Sequence, residues 1–88
     1  MQVESEHYRI LLVEDDAELA SMVADFLSPY GFDVAIEPRG DIAVERIHRE
    51  DPDAVVLDIS LPGLDGFAVC RAVRGDYRGA VIMLTARG

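Results

Sequence analysis

The apolar residues fall into four short, near-continuous aliphatic runs separated by stretches of helical spacing. The first run, Arg9-Ile10-Leu11-Leu12-Val13, stops abruptly at Glu14-Asp15-Asp16, as expected of a strand buried on both faces. From Ala17 to Ser28, Leu19, Met22, Val23, Phe26 and Leu27 recur at helical spacing and predict an amphipathic helix with these residues as its inward stripe and Asp15 or Asp16 as its cap. Pro29-Tyr30-Gly31 stops that helix, and Phe32-Asp33-Val34-Ala35-Ile36 predicts a second strand ended by Glu37-Pro38. Gly40-Asp41 opens a second helix to about Glu50, capped by Asp41, with Ile42, Ala43 and Ile47 facing inward. Ala54-Val55-Val56-Leu57-Asp58 is a third strand, followed by the turn-rich segment Ile59-Ser60-Leu61-Pro62-Gly63-Leu64-Asp65-Gly66, where Leu61 and Leu64 are candidate anchors. A third helix covers roughly Phe67 to Arg74, with Phe67, Cys70 and Val73 on one side, and Ala80-Val81-Ile82-Met83-Leu84 forms a fourth strand ending at Thr85.

Strict alternation of strand and helix predicts an α/β fold, a doubly wound parallel sheet of four strands with three helices on its two faces. Ligands of such sheets bind beyond the carboxyl ends of the strands, so the residues placed there decide function. Nucleotide-binding folds put a glycine-rich loop after the first strand, whereas no glycine follows Val13 until Gly31. Glu14 and Asp15 end the first strand instead, and Asp58 ends the third. If those strands are neighbours, roughly 4.8 Å apart, their carboxylates converge. Acids so close raise one another's pKa unless a cation neutralises them, and Mg²⁺ suits one or two carboxylates plus phosphate oxygens. Asp58, alone after four aliphatic residues, is the candidate nucleophile for an aspartyl phosphate, and the Thr85 hydroxyl is placed to bond a phosphoryl oxygen and sense its presence. Plainer readings stand beside these: Glu14-Asp15-Asp16 as a helix cap complementing the helix dipole, Asp58 as a turn-starting residue, Thr85 as a β-branched strand residue.

Composition narrows the classes. Eighty-eight residues, half of them apolar, suffice for one small globular domain, and no apolar run is long enough to span a membrane. The segment Met1 to Tyr8 lacks the basic head and apolar stretch of a secretory signal, and the single Cys70 cannot form an internal disulfide; both features predict a cytoplasmic protein with an inert buried thiol. A net charge of -9 argues against direct binding of nucleic acid or anionic lipid by this segment. All eight basic residues are arginine. His7 and His48 are expected to be exposed and uninvolved, and Met22 and Met83 to fill the core. Arg-Gly-Asp occurs twice, at Arg39 to Asp41 and Arg74 to Asp76, in both cases at turns flanking helices, and is assigned to chance.

Three segments in order, Ile10-Leu11-Leu12-Val13-Glu14-Asp15-Asp16, Val56-Leu57-Asp58 with the loop through Gly66, and Val81-Ile82-Met83-Leu84-Thr85-Ala86, resemble the receiver domains of two-component response regulators. The resemblance runs from about Tyr8 to Gly88 and leaves residues 1–7 as a flexible N-terminus. It implies a flavodoxin-like fold, Asp58 as phosphoacceptor, and a Mg²⁺ site of Glu14, Asp15, Asp58 and the main-chain carbonyl of Ser60, with Thr85 as the switch hydroxyl. It also implies a sensor histidine kinase as partner and a signalling role without enzymatic turnover. The Leu-Pro-Gly-x-Asp-Gly form of the loop is similar to that of regulators with a winged-helix effector, so DNA would be met only through a C-terminal domain outside these residues. The family's sheet has a fifth strand carrying a lysine, whereas this sequence offers four strands and no lysine. An incomplete receiver of this kind is expected to present an open apolar edge on the fourth strand and an exposed side of the first helix, and hence to self-associate as a dimer or swapped oligomer. Two alternatives are a truncated or degenerate receiver that serves as an interaction module without phosphotransfer, and a phosphohydrolase of the haloacid dehalogenase type. The latter wants a second Asp two residues after the nucleophile, where this chain has Ser60.

Overall fold

In the computed structural model, which describes residues 7–84, the aliphatic runs form parallel strands β1 (Tyr8–Val13), β2 (Phe32–Glu37), β3 (Ala54–Asp58) and β4 (Ala80–Leu84) in the spatial order β2-β1-β3-β4. Between them lie helices α1 (Ala17–Leu27), α2 (Gly40–Glu50) and α3 (Gly66–Val73). The chain steps outward from β1 to β2, then crosses back to β3 and on to β4. Right-handed crossovers in the two directions put α1 on one face and α2 with α3 on the other, which is the doubly wound arrangement the alternation predicts.

The α2–α3 face holds the core. Leu11, Val13, Val55 and Leu57 meet Ala43 and Ile47 of α2, Val69 and Val73 of α3, and Tyr77, all at 9% exposure or less. Each larger aliphatic side chain buried this way stabilises the fold by about 1.5–3 kcal/mol relative to exposure. Leu61, Leu64 and Met83 pack against this cluster partly buried, as anchors and filler.

The α1 face differs from expectation. Leu19, Met22 and Phe26 of the predicted stripe are 43%, 63% and 68% exposed, and Met22 is not a core filler. The helix instead seats Ala20, buried, with Val23, Ala24 and Leu27 half-buried. Val23 and Leu27 belong to the predicted stripe; Ala20 and Ala24 complete the buried row at i, i+3, i+4 and i+7, and a count of large side chains overlooks those two.

Helix starts are settled by side-chain bonds. Of the two candidate caps for α1, Asp16 accepts from the Leu19 N–H at 3.0 Å. At α3, Asp65 accepts from the Ala68 N–H at 2.9 Å, which starts the helix at Gly66 and turns Val69 and Val73 inward, leaving Phe67 52% exposed and Cys70 half-buried rather than enclosed. At α2 the expected cap is corrected: Arg39 occupies the N-cap without a side-chain bond, and Asp41 lies in the first turn with its carboxylate held by Arg39. Ile42 is 40% exposed, and Gly40 takes an inward place because a Cβ there would strike the Leu64 carbonyl oxygen.

At the amino end of the sheet, the Arg9 N–H donates to Asp53 Oδ2 at 2.8 Å, and the Asp53 N–H donates to the Arg9 carbonyl at 2.8 Å. The Arg9 guanidinium donates to the Glu50 and Asp51 carbonyls at 2.8 and 2.6 Å and so closes the C-terminus of α2. The buried Tyr77 hydroxyl donates to the Pro52 carbonyl at 2.6 Å.

Candidate functional site

Register places the acids. Val13 of β1 is opposite Leu57 of β3, so the residues that follow, Glu14 and Asp58, leave the sheet side by side at its carboxyl end. One oxygen each of Glu14, Asp15 and Asp58 lies within 4.8 Å of the others. Glu14 is only 9% exposed, Asp58 half-buried, and Asp15 open to solvent. Among the described residues, every ion pair of Arg or His goes to other carboxylates.

Glu14 is fixed from two sides: its N–H donates to the Glu37 carbonyl at 3.1 Å, and its Oε2 accepts from the Asp16 N–H at 3.0 Å. Burial pushes its carboxyl above the usual 4.5, the Asp16 N–H pulls it back, and the negative charges of Asp58 and Asp15 push it up further. Three carboxylates, one of them mostly desolvated and none balanced by a described cation, form a hard oxygen donor set that fits a small divalent metal ion.

The loop after Asp58 is pinned along its length. The Ile59 N–H donates to the Leu84 carbonyl at 3.3 Å, and the Gly66 N–H closes back on the Ile59 carbonyl at 2.8 Å. Gly66 is required there because a Cβ would run into the Asp58 carbonyl oxygen. The Pro62 carbonyl accepts from the Gly40 N–H at 3.0 Å. Ser60 sits exposed in this loop, two residues past Asp58. Thr85 lies outside the described residues.

Two features escaped sequence reasoning. Glu37, read only as a strand terminator, is 7% exposed; its Oε1 accepts from Arg46 Nη1 at 3.2 Å and its Oε2 from the Arg39 N–H at 3.1 Å. An arginine on the sheet-facing side of the following helix was the available signal. His48 is exposed as expected but joins Asp76 at 2.9 Å, tying α2 to the turn before β4. No helix among the described residues is long and apolar enough to cross a membrane.

The family model for the response regulator receiver domain matches residues 10–88. The chain is 49% identical over 77 residues to the transcriptional regulatory protein RstA of Escherichia coli, covering 88% of this chain and 32% of that protein. It is 44% identical over 79 residues to the DNA-binding response regulator MtrA of Mycobacterium tuberculosis, covering 90% of this chain and 35% of that protein. It therefore spans about a third of the length of the curated relatives it matches. Among solved structures it is similar to the BeF3-activated N-terminal receiver domain of Klebsiella pneumoniae RstA, with a TM-score of 0.86, 48% identity, and coverage of 91% of this chain and 68% of that one. The receiver domain of a Pseudomonas aeruginosa sensor histidine kinase, solved with a magnesium ion in its active-site cleft, matches with a TM-score of 0.86, 33% identity, and coverage of 92% of this chain and 69% of that one.

Proposed function

The chain belongs to the response regulator receiver domain family, and from that premise we propose that Asp58 accepts a phosphoryl group in a Mg²⁺-dependent reaction. The observation that carries this reading is the meeting of the Glu14, Asp15 and Asp58 oxygens within 4.8 Å at the carboxyl end of the sheet. Glu14, Asp15, Asp58 and the Ser60 main-chain carbonyl would hold the ion. When bound, Mg²⁺ neutralises the carboxylates and draws phosphoryl oxygens toward them. Asp58 is the nucleophile: one carboxylate oxygen forms the new O–P bond as the P–N bond to a phosphohistidine of the partner sensor kinase breaks, and the departing imidazole takes up a proton. Glu14, held by the Asp16 and Glu37 backbones, keeps its carboxylate aimed at the site throughout. Thr85 takes the switch role that the family assigns to its position.

The output is a change of surface rather than release of product, so the domain acts as a signalling switch and not as a turnover enzyme. Its relatives bear the names of transcriptional and DNA-binding regulators, which supports an effector domain as the reader of the switch. With a net charge of -9, this segment leaves DNA contact to that effector. The exposed Leu19 and Met22 of α1 and Ile82 and Leu84 of β4, an edge strand among the described residues, support self-association of the chain. Sedimentation should show dimers or larger species as concentration rises; a monomer at all concentrations would remove that part of the proposal.

Intact-mass measurement after incubation with a small-molecule phosphodonor tests the central claim. A single phosphoryl adduct is expected with Mg²⁺, absent with chelator and absent in Asp58→Asn. No adduct under any condition would leave an interaction module without phosphotransfer as the better reading.

A further inference from the structure

The corner between β2 and α2 supplies no oxygen to the acidic cluster, yet it contacts both chain segments that carry the cluster, the end of β1 and the loop after Asp58. On one side, the Glu37 carbonyl accepts the Glu14 N–H at 3.1 Å. On the other, the Gly40 N–H donates to the Pro62 carbonyl at 3.0 Å, and the Gly40 Cα lies so close to the Leu64 carbonyl that no side chain fits between them. Over the middle of the loop, Arg39 grips Asp41 with its fork, Nε to Oδ1 at 3.0 Å and Nη2 to Oδ2 at 3.2 Å. This pair rests directly on Gly63: a Cβ at that residue would collide with Asp41 Oδ1 and lie 2.9 Å from Arg39 Nη2. Gly63 has φ +86°, a conformation open to glycine, and it is at this residue that the loop passes the pair. Arg39 is anchored in turn, its N–H bound by Glu37 Oε2 at 3.1 Å, with Arg46 holding the other Glu37 oxygen.

An ion pair whose side chains are 47% and 50% exposed contributes little to overall stability. Its fork geometry nevertheless fixes two side chains in one orientation, and what they meet is the loop that begins at Asp58 and carries the Ser60 carbonyl. We propose that the Arg39–Asp41 pair is a positioning clamp on the β3–α3 loop, and that by limiting the loop's outward motion at Gly63 it sets the affinity of the acidic site for Mg²⁺. The proposal rests on the Mg²⁺ reading of that site. Neither residue is a ligand; each acts through Gly63 and the backbone on either side of it.

The test is a Mg²⁺ titration by calorimetry of the wild-type chain, Arg39→Ala, Asp41→Ala, the double variant, Arg39→Lys and Asp58→Asn. Melting temperature without Mg²⁺ and amide hydrogen exchange are read on the same samples. The Mg²⁺ dissociation constant is expected to rise about two- to five-fold in either alanine variant, within the range open to a half-exposed pair. It should rise no further in the double variant, since the two residues act as one unit. Arg39→Lys, which keeps the charge and loses the fork, should recover only part of the affinity. The Gly40, Ile59 and Gly66 amides, whose bonds hold the loop, should exchange faster while those of β1 and β3 stay protected and the melting temperature is nearly unchanged. A wild-type Mg²⁺ affinity that persists in all the Arg39 and Asp41 variants would overturn the clamp alone. So would a loss of affinity matched by faster exchange throughout the sheet, which would mark general destabilisation. A wild-type chain that takes up no Mg²⁺, indistinguishable from Asp58→Asn, would remove the Mg²⁺ reading and the proposal with it.

Discussion

At the amino end of the sheet, Arg9, Asp53, Tyr77 and the α2 C-terminus close on one another through hydrogen bonds of 2.6 to 2.8 Å, while at the carboxyl end Glu14, Asp15 and Asp58 gather their oxygens within 4.8 Å with no described cation among them. The same strands begin in one environment and finish in the other. The amino end spends its polar groups on holding elements together, and its partners are fixed carbonyls and a single carboxylate. The carboxyl end keeps like charges close and partly desolvated, an arrangement that costs stability until a cation arrives. A parallel sheet favours this division because all its strands deliver their last residues to one rim, so a site built there leaves the opposite rim free for structure.

Substitutions should therefore change stability in opposite directions at the two ends. The largest effect is expected for Tyr77→Phe, which removes the donor to the Pro52 carbonyl in a buried position and should cost about 1–3 kcal/mol in urea unfolding. Arg9→Ala takes away both guanidinium bonds at the α2 C-terminus and should cost about 1–2 kcal/mol. At the other rim, Asp58→Asn without Mg²⁺ should raise stability, by about 0.5–1 kcal/mol, because it removes one of three neighbouring negative charges. Saturating Mg²⁺ should reverse that order, since it stabilises the wild type in proportion to its occupancy and the variant less. A destabilised Asp58→Asn in chelator would erase the contrast between the ends.

The smallest effect is the pH dependence carried by Glu14. Its folded pKa lies above 4.5, so between 4.5 and that raised value the folded state binds the proton more readily than the unfolded chain. Stability without Mg²⁺ should therefore fall as pH rises through that window, remain lowered above it, and lose this component in Glu14→Gln. Asp41 and Glu50 act in the opposite sense: Arg39 and Arg46 hold their carboxyls below 3.8 and 4.5, so their contribution is present above those values and fades as pH falls below them. Thermal melts across the acid range, with and without Glu14→Gln, separate the two.

Much of this was legible along the chain. The aliphatic runs, the acids that end them, and a cap for α1 at Asp15 or Asp16 are local signals, each complete within a few residues, and elements form close to where they predict, whereas the Asp65 cap of α3 was not read from the sequence. The candidate site was legible only conditionally: Glu14 and Asp58 are separated by more than forty positions, and their meeting depends on β1 lying beside β3. Periodicity carries no information on that pairing. It also could not rank two overlapping stripes on α1, because whether Ala20 and Ala24 or Leu19, Met22 and Phe26 join Val23 and Leu27 on the covered side depends on how the helix is turned against the sheet. Nor could it assign Asp41 to Arg39 rather than to the helix start, or show that Glu37 is buried against Arg46. By itself, then, the sequence determined what each segment is and which acids end the strands, since backbone preference and hydrophobic period act over neighbouring residues. Only the tertiary structure decided which strand ends converge, which helix row is buried and which corner packs against the loop after Asp58, because those outcomes depend on contacts between residues far apart in the chain.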